Sequence, residues 1–103
     1  MNKMTLLQVL LAAGSLACVP SYAADVAAGK AKAEEVCADC HGDDGKGDDE
    51  SPDIVELTAK EFVKAMEDYQ SGARTKSQKM ARAAKKLSPA EVANLAAYYE
   101  TLK

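Results

Sequence analysis

Aromatic residues are scarce in this chain. Of 103 residues none is tryptophan, one is phenylalanine and four are tyrosine. A short chain buries a limited fraction of its surface and leans on dense apolar packing or on an added staple. With so few rings, a core made of side chains alone lacks bulk. Histidine is scarcer: His41 stands alone, so no site here draws two imidazoles from the chain. Cysteine is limited to Cys18, Cys37 and Cys40, too few for a disulfide framework. Basic residues are outnumbered, 13 against 16 acidic, for a formal charge of -3. Net acidity without interleaved aromatics argues against nucleic acid as a partner.

Long hydrophobic runs are also missing. The best one, Leu6 to Leu16, follows the positive Lys3 and precedes Ser21-Tyr22-Ala23. It is too short and too weakly flanked for a comfortable membrane span. Its length, charge and small residues match a secretory signal peptide over residues 1–23, cleaved before Ala24. An uncleaved anchor is the alternative. A lipid-modified Cys18 is a weaker one, because Ser15 stands where such signals carry an aliphatic residue. The mature domain, 24–103, then has about 80 residues and no stable membrane span.

Both remaining cysteines and the single histidine fall in one pentapeptide, Cys37-Ala38-Asp39-Cys40-His41. Cys-x-x-Cys-His is the attachment signature of a covalent c-type haem. The spacing follows from the chemistry. On a helical turn, two thiols three residues apart reach the two vinyl groups of one porphyrin edge. The next residue then brings its imidazole under the iron as proximal ligand. A thiol redox pair or half a zinc site would also use Cys-x-x-Cys, but neither calls for the histidine. A haem would supply the apolar body the core lacks, and it leaves no cysteine for a structural disulfide.

Around this motif the pattern is helical throughout, with no strand and no repeat. Asp25 suits an N-cap, and Val26, Gly29, Ala33 and Val36 recur near helical spacing. Gly29 weakens a helix and therefore asks for close approach of another one. Gly42 to Pro52 reads as a solvated acidic loop. Its carboxylates do not follow the EF-hand calcium spacing. A proximal histidine needs its other ring nitrogen bonded to a carbonyl, and the carbonyl of Pro52 is the candidate. Thr58 and Glu61 form a capping box. Phe62, Ala65, Met66 and Tyr69 form a stripe, and Ser71-Gly72 ends that helix. Thr75 to Lys79 reads as loop, with a short helical stretch after Met80. Ser88-Pro89-Ala90-Glu91 starts a terminal helix with a second capping box and proline at its first position. Val92, Leu95, Ala96, Tyr99 and Leu102 form its apolar face.

The iron's second axial position excludes histidine. The remaining choices are methionine, lysine, water or an open site. Met66 belongs to a packing stripe, whereas Met80 follows a polar stretch able to fold over the opposite haem face. A thioether is a soft ligand that raises the potential, and a six-coordinate His/Met iron suits electron transfer rather than catalysis.

In this order the residues resemble a small bacterial class I c-type cytochrome, similar to one half of dihaem cytochromes c or to the haem subunit of flavocytochromes c. The likeness rests on Gly29, Cys37-Ala38-Asp39-Cys40-His41, Asp44-Gly45-Lys46-Gly47, Pro52-Asp53-Ile54, Tyr69-Gln70-Ser71-Gly72-Ala73-Arg74, Met80, and Leu87-Ser88 through Leu95-Ala96-Ala97-Tyr98-Tyr99. It implies an all-α fold of about four short helices around one haem c bound through Cys37 and Cys40. It also implies His41 and Met80 as iron ligands, Pro52 holding His41, and Arg74 near a haem propionate. Gly29 would meet Leu95 and Tyr98 where the first and last helices cross. Ala33 departs from the family, which often has an aromatic there. Haem attachment in such proteins takes place outside the cytoplasm, which agrees with export to the periplasm.

The implied function is a periplasmic one-electron carrier and not an enzyme. Alternatives are a dedicated haem subunit of a periplasmic dehydrogenase, for instance in sulfur-compound oxidation, or an open-iron haem enzyme or gas sensor. Charge is segregated: Ala24 to Glu56 holds eleven acidic and three basic residues, Leu57 to Lys103 nine basic and five acidic. Arg74, Lys76, Lys79, Arg82, Lys85 and Lys86 surround Met80, so a redox partner with an acidic docking rim is expected on that side.

Overall fold

The computed structural model describes residues 24–103. The expected signal segment, with Cys18 and the cleavage site before Ala24, lies outside the described residues.

All regular structure among the described residues is helical. Helix α1, Val26–Lys32, is capped by Asp25, whose carboxylate accepts the Ala28 N–H at 3.0 Å. It runs without interruption into a π-helical turn, Ala33–Cys37, and then into α2, Ala38–His41. The π turn, closed by the Ala38 N–H on the Ala33 carbonyl, has a consequence for phase. Eight residues separate Ala33 from His41, and at about 100° each an uninterrupted α-helix would carry His41 about 80° off Ala33's face. One extra residue in the turn takes back about 100°. His41 thus ends within about 20° of Ala33's side. Both are buried, at 6% and 3% exposure.

Helix α3, Ala59–Ser71, opens with the expected Thr58/Glu61 capping box and ends at Gly72. Its stripe of Phe62, Ala65, Met66 and Tyr69 is buried as predicted. Helix α5, Pro89–Glu100, opens with the Ser88/Glu91 capping box. It buries Val92, Leu95, Ala96, Tyr98 and Tyr99, with Leu95 wholly inaccessible. The few rings are placed together: Phe62 and Tyr99 lie 5.9 Å apart and Tyr99 and Tyr98 5.2 Å, both pairs tilted. Such tilted contacts are the geometry aromatic quadrupoles favour.

Helix α4, Gln78–Lys85, differs from expectation. It begins before Met80, because Ser77 is an N-cap whose hydroxyl accepts the Met80 N–H at 3.1 Å. Met80 therefore stands in the first turn of a helix and not on a loop. The α3 residue Gln70 ties this part down by donating to the carbonyls of Ala84 (2.8 Å) and Leu87 (3.1 Å).

Helices α1 and α5 cross at Gly29. A Cβ there would lie 2.1 Å from the Asn94 carbonyl oxygen and 3.0 Å from the Tyr98 Cβ. The contact with Tyr98 was expected. The nearest atoms there are those of the Asn94 carbonyl, next to Leu95, which is buried in the core. The Asn94 side chain also accepts the Asp25 N–H at 2.8 Å, and Lys32 pairs with Glu91 at 3.2 Å. Ala33 is fully packed in the core, so its small size leaves this crossing close and intact.

Candidate functional site

The geometry around His41 is the most closely specified in the molecule. The imidazole is 6% exposed, and its Nδ1 lies 2.8 Å from the Pro52 carbonyl oxygen. A carbonyl only accepts, so Nδ1 carries the proton and Nε2 presents a lone pair. Among the described residues nothing bonds Nε2. A buried imidazole with one nitrogen oriented by a carbonyl and the other left basic is the arrangement an axial metal ligand requires.

The loop that returns to Pro52 is fixed from within. The Gly47 N–H donates to the His41 carbonyl at 2.7 Å, and the Ile54 N–H to the Gly45 carbonyl at 2.7 Å. The acidic residues work locally. Asp44 accepts the Lys46 N–H, Asp48 those of Glu50 and Ser51, and Asp53 those of Val55 and Glu56. These are turn-forming carboxylates. Among the described residues no three His, Cys, Asp or Glu side chains gather as a metal centre.

The cysteines sit on either side of the π turn's end. Cys37 is partly buried and Cys40 exposed. Burial pushes the Cys37 thiol above its usual value, an effect the Tyr99 hydroxyl beside it opposes. Tyr99 is itself raised well above the ordinary phenol range, by burial first and by Cys37 second. A thioether at Cys37 would abolish this titration, and it would suit the half-buried setting better than a thiolate.

In the C-terminal half of the chain, Met80 is half-buried and packs against the core. Met66 is 6% exposed and belongs to the α3 stripe. Arg74 follows Gly72 on an exposed stretch, and its guanidinium lies 5.5 Å above the Tyr69 ring, a cation–π contact that sequence reasoning did not foresee. Two open grooves flank this half. One, of about 450 Å³, lies between Glu35 and Val36 and the α4 residues Lys79, Arg82, Ala83 and Lys86. The other, of about 480 Å³, runs from Leu57 along Lys60, Lys64 and Ala65 to Arg74.

One thiol a turn before a pre-oriented imidazole and a second directly before it, on a helical chain with a small aromatic core, fit a covalent haem and define a c-type cytochrome domain. No helix among the described residues is long and apolar enough to cross a membrane. The comparison with known families agrees. The model described as "Cytochrome C oxidase, cbb3-type, subunit III" matches residues 24–98, and the chain belongs to that family. Among curated proteins no individual match is found. The fold is that of a class I cytochrome c, the cofactor is one covalently bound c-type haem, and the protein binds it for electron transfer.

Proposed function

We propose that the protein is a periplasmic carrier of single electrons, not an enzyme, with its haem bound through Cys37 and Cys40 and ligated by His41 and Met80. The observation that carries this reading is the 2.8 Å contact of His41 Nδ1 with the Pro52 carbonyl. It supports this reading because a proton on Nδ1 leaves the Nε2 lone pair available, as an axial ligand would need. When bound, the haem supplies a one-electron couple. The chain does the rest. Pro52 keeps the imidazole from rotating, and its carbonyl strengthens the imidazole as a donor. Met80 supplies a soft sulfur from the first turn of α4. With both axial positions taken there is no place for a substrate at the metal, which favours outer-sphere transfer.

The partner is expected to carry an acidic rim. Lys79, Arg82, Lys85 and Lys86 lie on or directly after α4. Ion pairs among the described residues are Lys32 with Glu35 and Glu91, Lys64 with Asp68, and Lys103 with Glu100. None involves the α4 cations, so their field is open to steer an acidic surface toward Met80. Arg74 contributes to the same field, or to a haem propionate.

A second reading follows from the family's description, which names an oxidase subunit. The same electron-transfer chemistry would then serve a fixed complex, an oxidase or a dehydrogenase. Visible spectra of the purified protein test the core of the proposal. A covalent low-spin haem spectrum with a weak red band from iron–thioether bonding is expected. A reduced protein that takes up carbon monoxide readily at neutral pH contradicts it. Isolation from membranes or extracts in constant ratio with other redox subunits favours the second reading.

A further inference from the structure

The short segment between His41 and Pro52 is more than a solvated acidic loop. Gly47 has φ +71°, a left-handed conformation that penalises any side chain. A Cβ there would also lie 2.1 Å from the Ser51 carbonyl oxygen, 2.5 Å from the Pro52 carbonyl oxygen and 2.8 Å from the Pro52 carbonyl carbon. The last two atoms form the group that holds His41. The Gly47 α-carbon is therefore the floor on which the Pro52 carbonyl rests. Asp48 closes the turn above it. Its N–H donates to the Ser51 carbonyl at 2.8 Å, and its carboxylate accepts the Ser51 N–H at 3.0 Å and the Glu50 N–H at 2.8 Å. The Gly47 N–H returns to the His41 carbonyl at 2.7 Å, so the chain from His41 back to its own ring nitrogen is a closed loop of hydrogen bonds.

We propose that Gly47 and Asp48 are positioning residues for His41, acting through the Pro52 carbonyl to set the electron-donor strength of the imidazole. Gly47 provides clearance for the carbonyl, and Asp48 fixes the turn that presents it. Displacing the carbonyl weakens the Nδ1–H···O bond, makes the imidazole a poorer donor and destabilises the oxidised iron relative to the reduced. The reduction potential then rises. This rests on the reading of His41 as the axial ligand.

Gly45 provides the control. Its φ is +73°, and a Cβ there would meet the Tyr99 ring at 2.8 Å and Val55 at 2.9 Å, but not Pro52. Gly45→Ala and Gly47→Ala thus impose similar backbone strain against different neighbours. The test measures the reduction potential of the holoprotein and, by proton NMR of the reduced form, the exchange of the His41 Nδ1 proton. Gly47→Ala should raise the potential and abolish the slowly exchanging Nδ1 proton, while Gly45→Ala, which strikes Tyr99 and Val55 and bears on Pro52 only through the Ile54 N–H, lowers stability and shifts both observables less than Gly47→Ala does. Asp48→Ala, a surface change, should move both observables in the same direction, with exchange about fivefold faster, as expected for one hydrogen bond of ordinary net strength. If Gly47→Ala yields no holoprotein, Asp48→Ala decides alone. Wild-type values in Gly47→Ala and Asp48→Ala, or equal shifts in Gly45→Ala, overturn the proposal. A wild-type holoprotein without a histidine-ligated spectrum would instead overturn the reading of His41.

Discussion

The two sides of the expected iron centre are built in opposite ways. On the His41 side a side chain is fixed by its own backbone neighbourhood. The π turn sets its phase, the Pro52 carbonyl sets its tautomer, and the loop between them is closed by hydrogen bonds at 2.7 to 3.0 Å. On the Met80 side the chain from Gly72 to Lys76 is exposed. It is anchored by the Arg74 N–H on the Asp68 carbonyl, by the Arg74–Tyr69 stack and by the Ser77 cap. The contrast teaches a division of labour. The His41 half is over-determined, as the proposed holding side of the cofactor would need to be. Met80, the proposed distal ligand, has no comparable loop of hydrogen bonds around it and is held through α4 by the Ser77 cap and Gln70, so it would be the ligand exchanged at least cost to the fold.

Substitutions at the two proposed ligands should break that comparison most visibly. His41→Ala removes the pre-oriented nitrogen, and covalent haem in the exported protein, read by haem staining after denaturing electrophoresis, should fall to background. Met80→Ala should leave covalent haem near the wild-type level, because no attachment chemistry passes through it. Equal loss of haem in both variants would erase the distinction between a holding side and an exchangeable side.

The next effect is on the framework beneath the proximal side. Gly29→Ala drives a methyl onto the Asn94 carbonyl, 2.1 Å from where it would sit. Overpacking of this kind costs about 2 to 3 kcal/mol, read as a lower urea midpoint of the holoprotein. The Met80 spectrum should persist in the folded fraction. A wild-type midpoint would mean that α1 and α5 do not approach as closely as described.

Much of this framework was legible in the residues because it is local. Both capping boxes sit within four residues, and the Phe62/Ala65/Met66/Tyr69 stripe follows from helical period alone. The pairing of His41 with Pro52 was legible because ligand chemistry demands an acceptor, and the intervening loop is short enough to supply one. Three features depended on information that no local pattern carries. Ser77 lacks a glutamate three residues on, so its cap was hidden in a polar stretch and Gln78 and Lys79 were expected on a loop. The π turn shifts phase by one residue without any residue type that marks it. The role of Gly47 arises only when the loop closes and puts a carbonyl 2.5 Å from its missing Cβ.

Smaller effects sharpen the picture of the weakly held side. Ser77→Ala removes the cap of α4 and should cost about 1 kcal/mol of stability. Its signature is a red iron–thioether band that fades at a lower temperature than the main haem bands. The smallest effect concerns the edge of the α1–α5 crossing. Glu91 is held below the ordinary glutamate range by the Ser88 backbone N–H and by Lys32. A carboxylate lowered in the folded state adds stability that is full above its unfolded pKa and is lost as pH falls through the folded value. Glu91→Gln keeps a capping-box side chain but loses the Lys32 pair, so it should lower thermal stability slightly at neutral pH and flatten its decline on acidification.

The central claim is a clamp between His41 and Met80, and the visible spectrum of oxidised holoprotein in two methionine variants tests it most directly. The weak red band should vanish in Met80→Ala, with a fall in reduction potential, and should remain in Met66→Ala. Loss of the band in Met66→Ala with its survival in Met80→Ala would contradict the account.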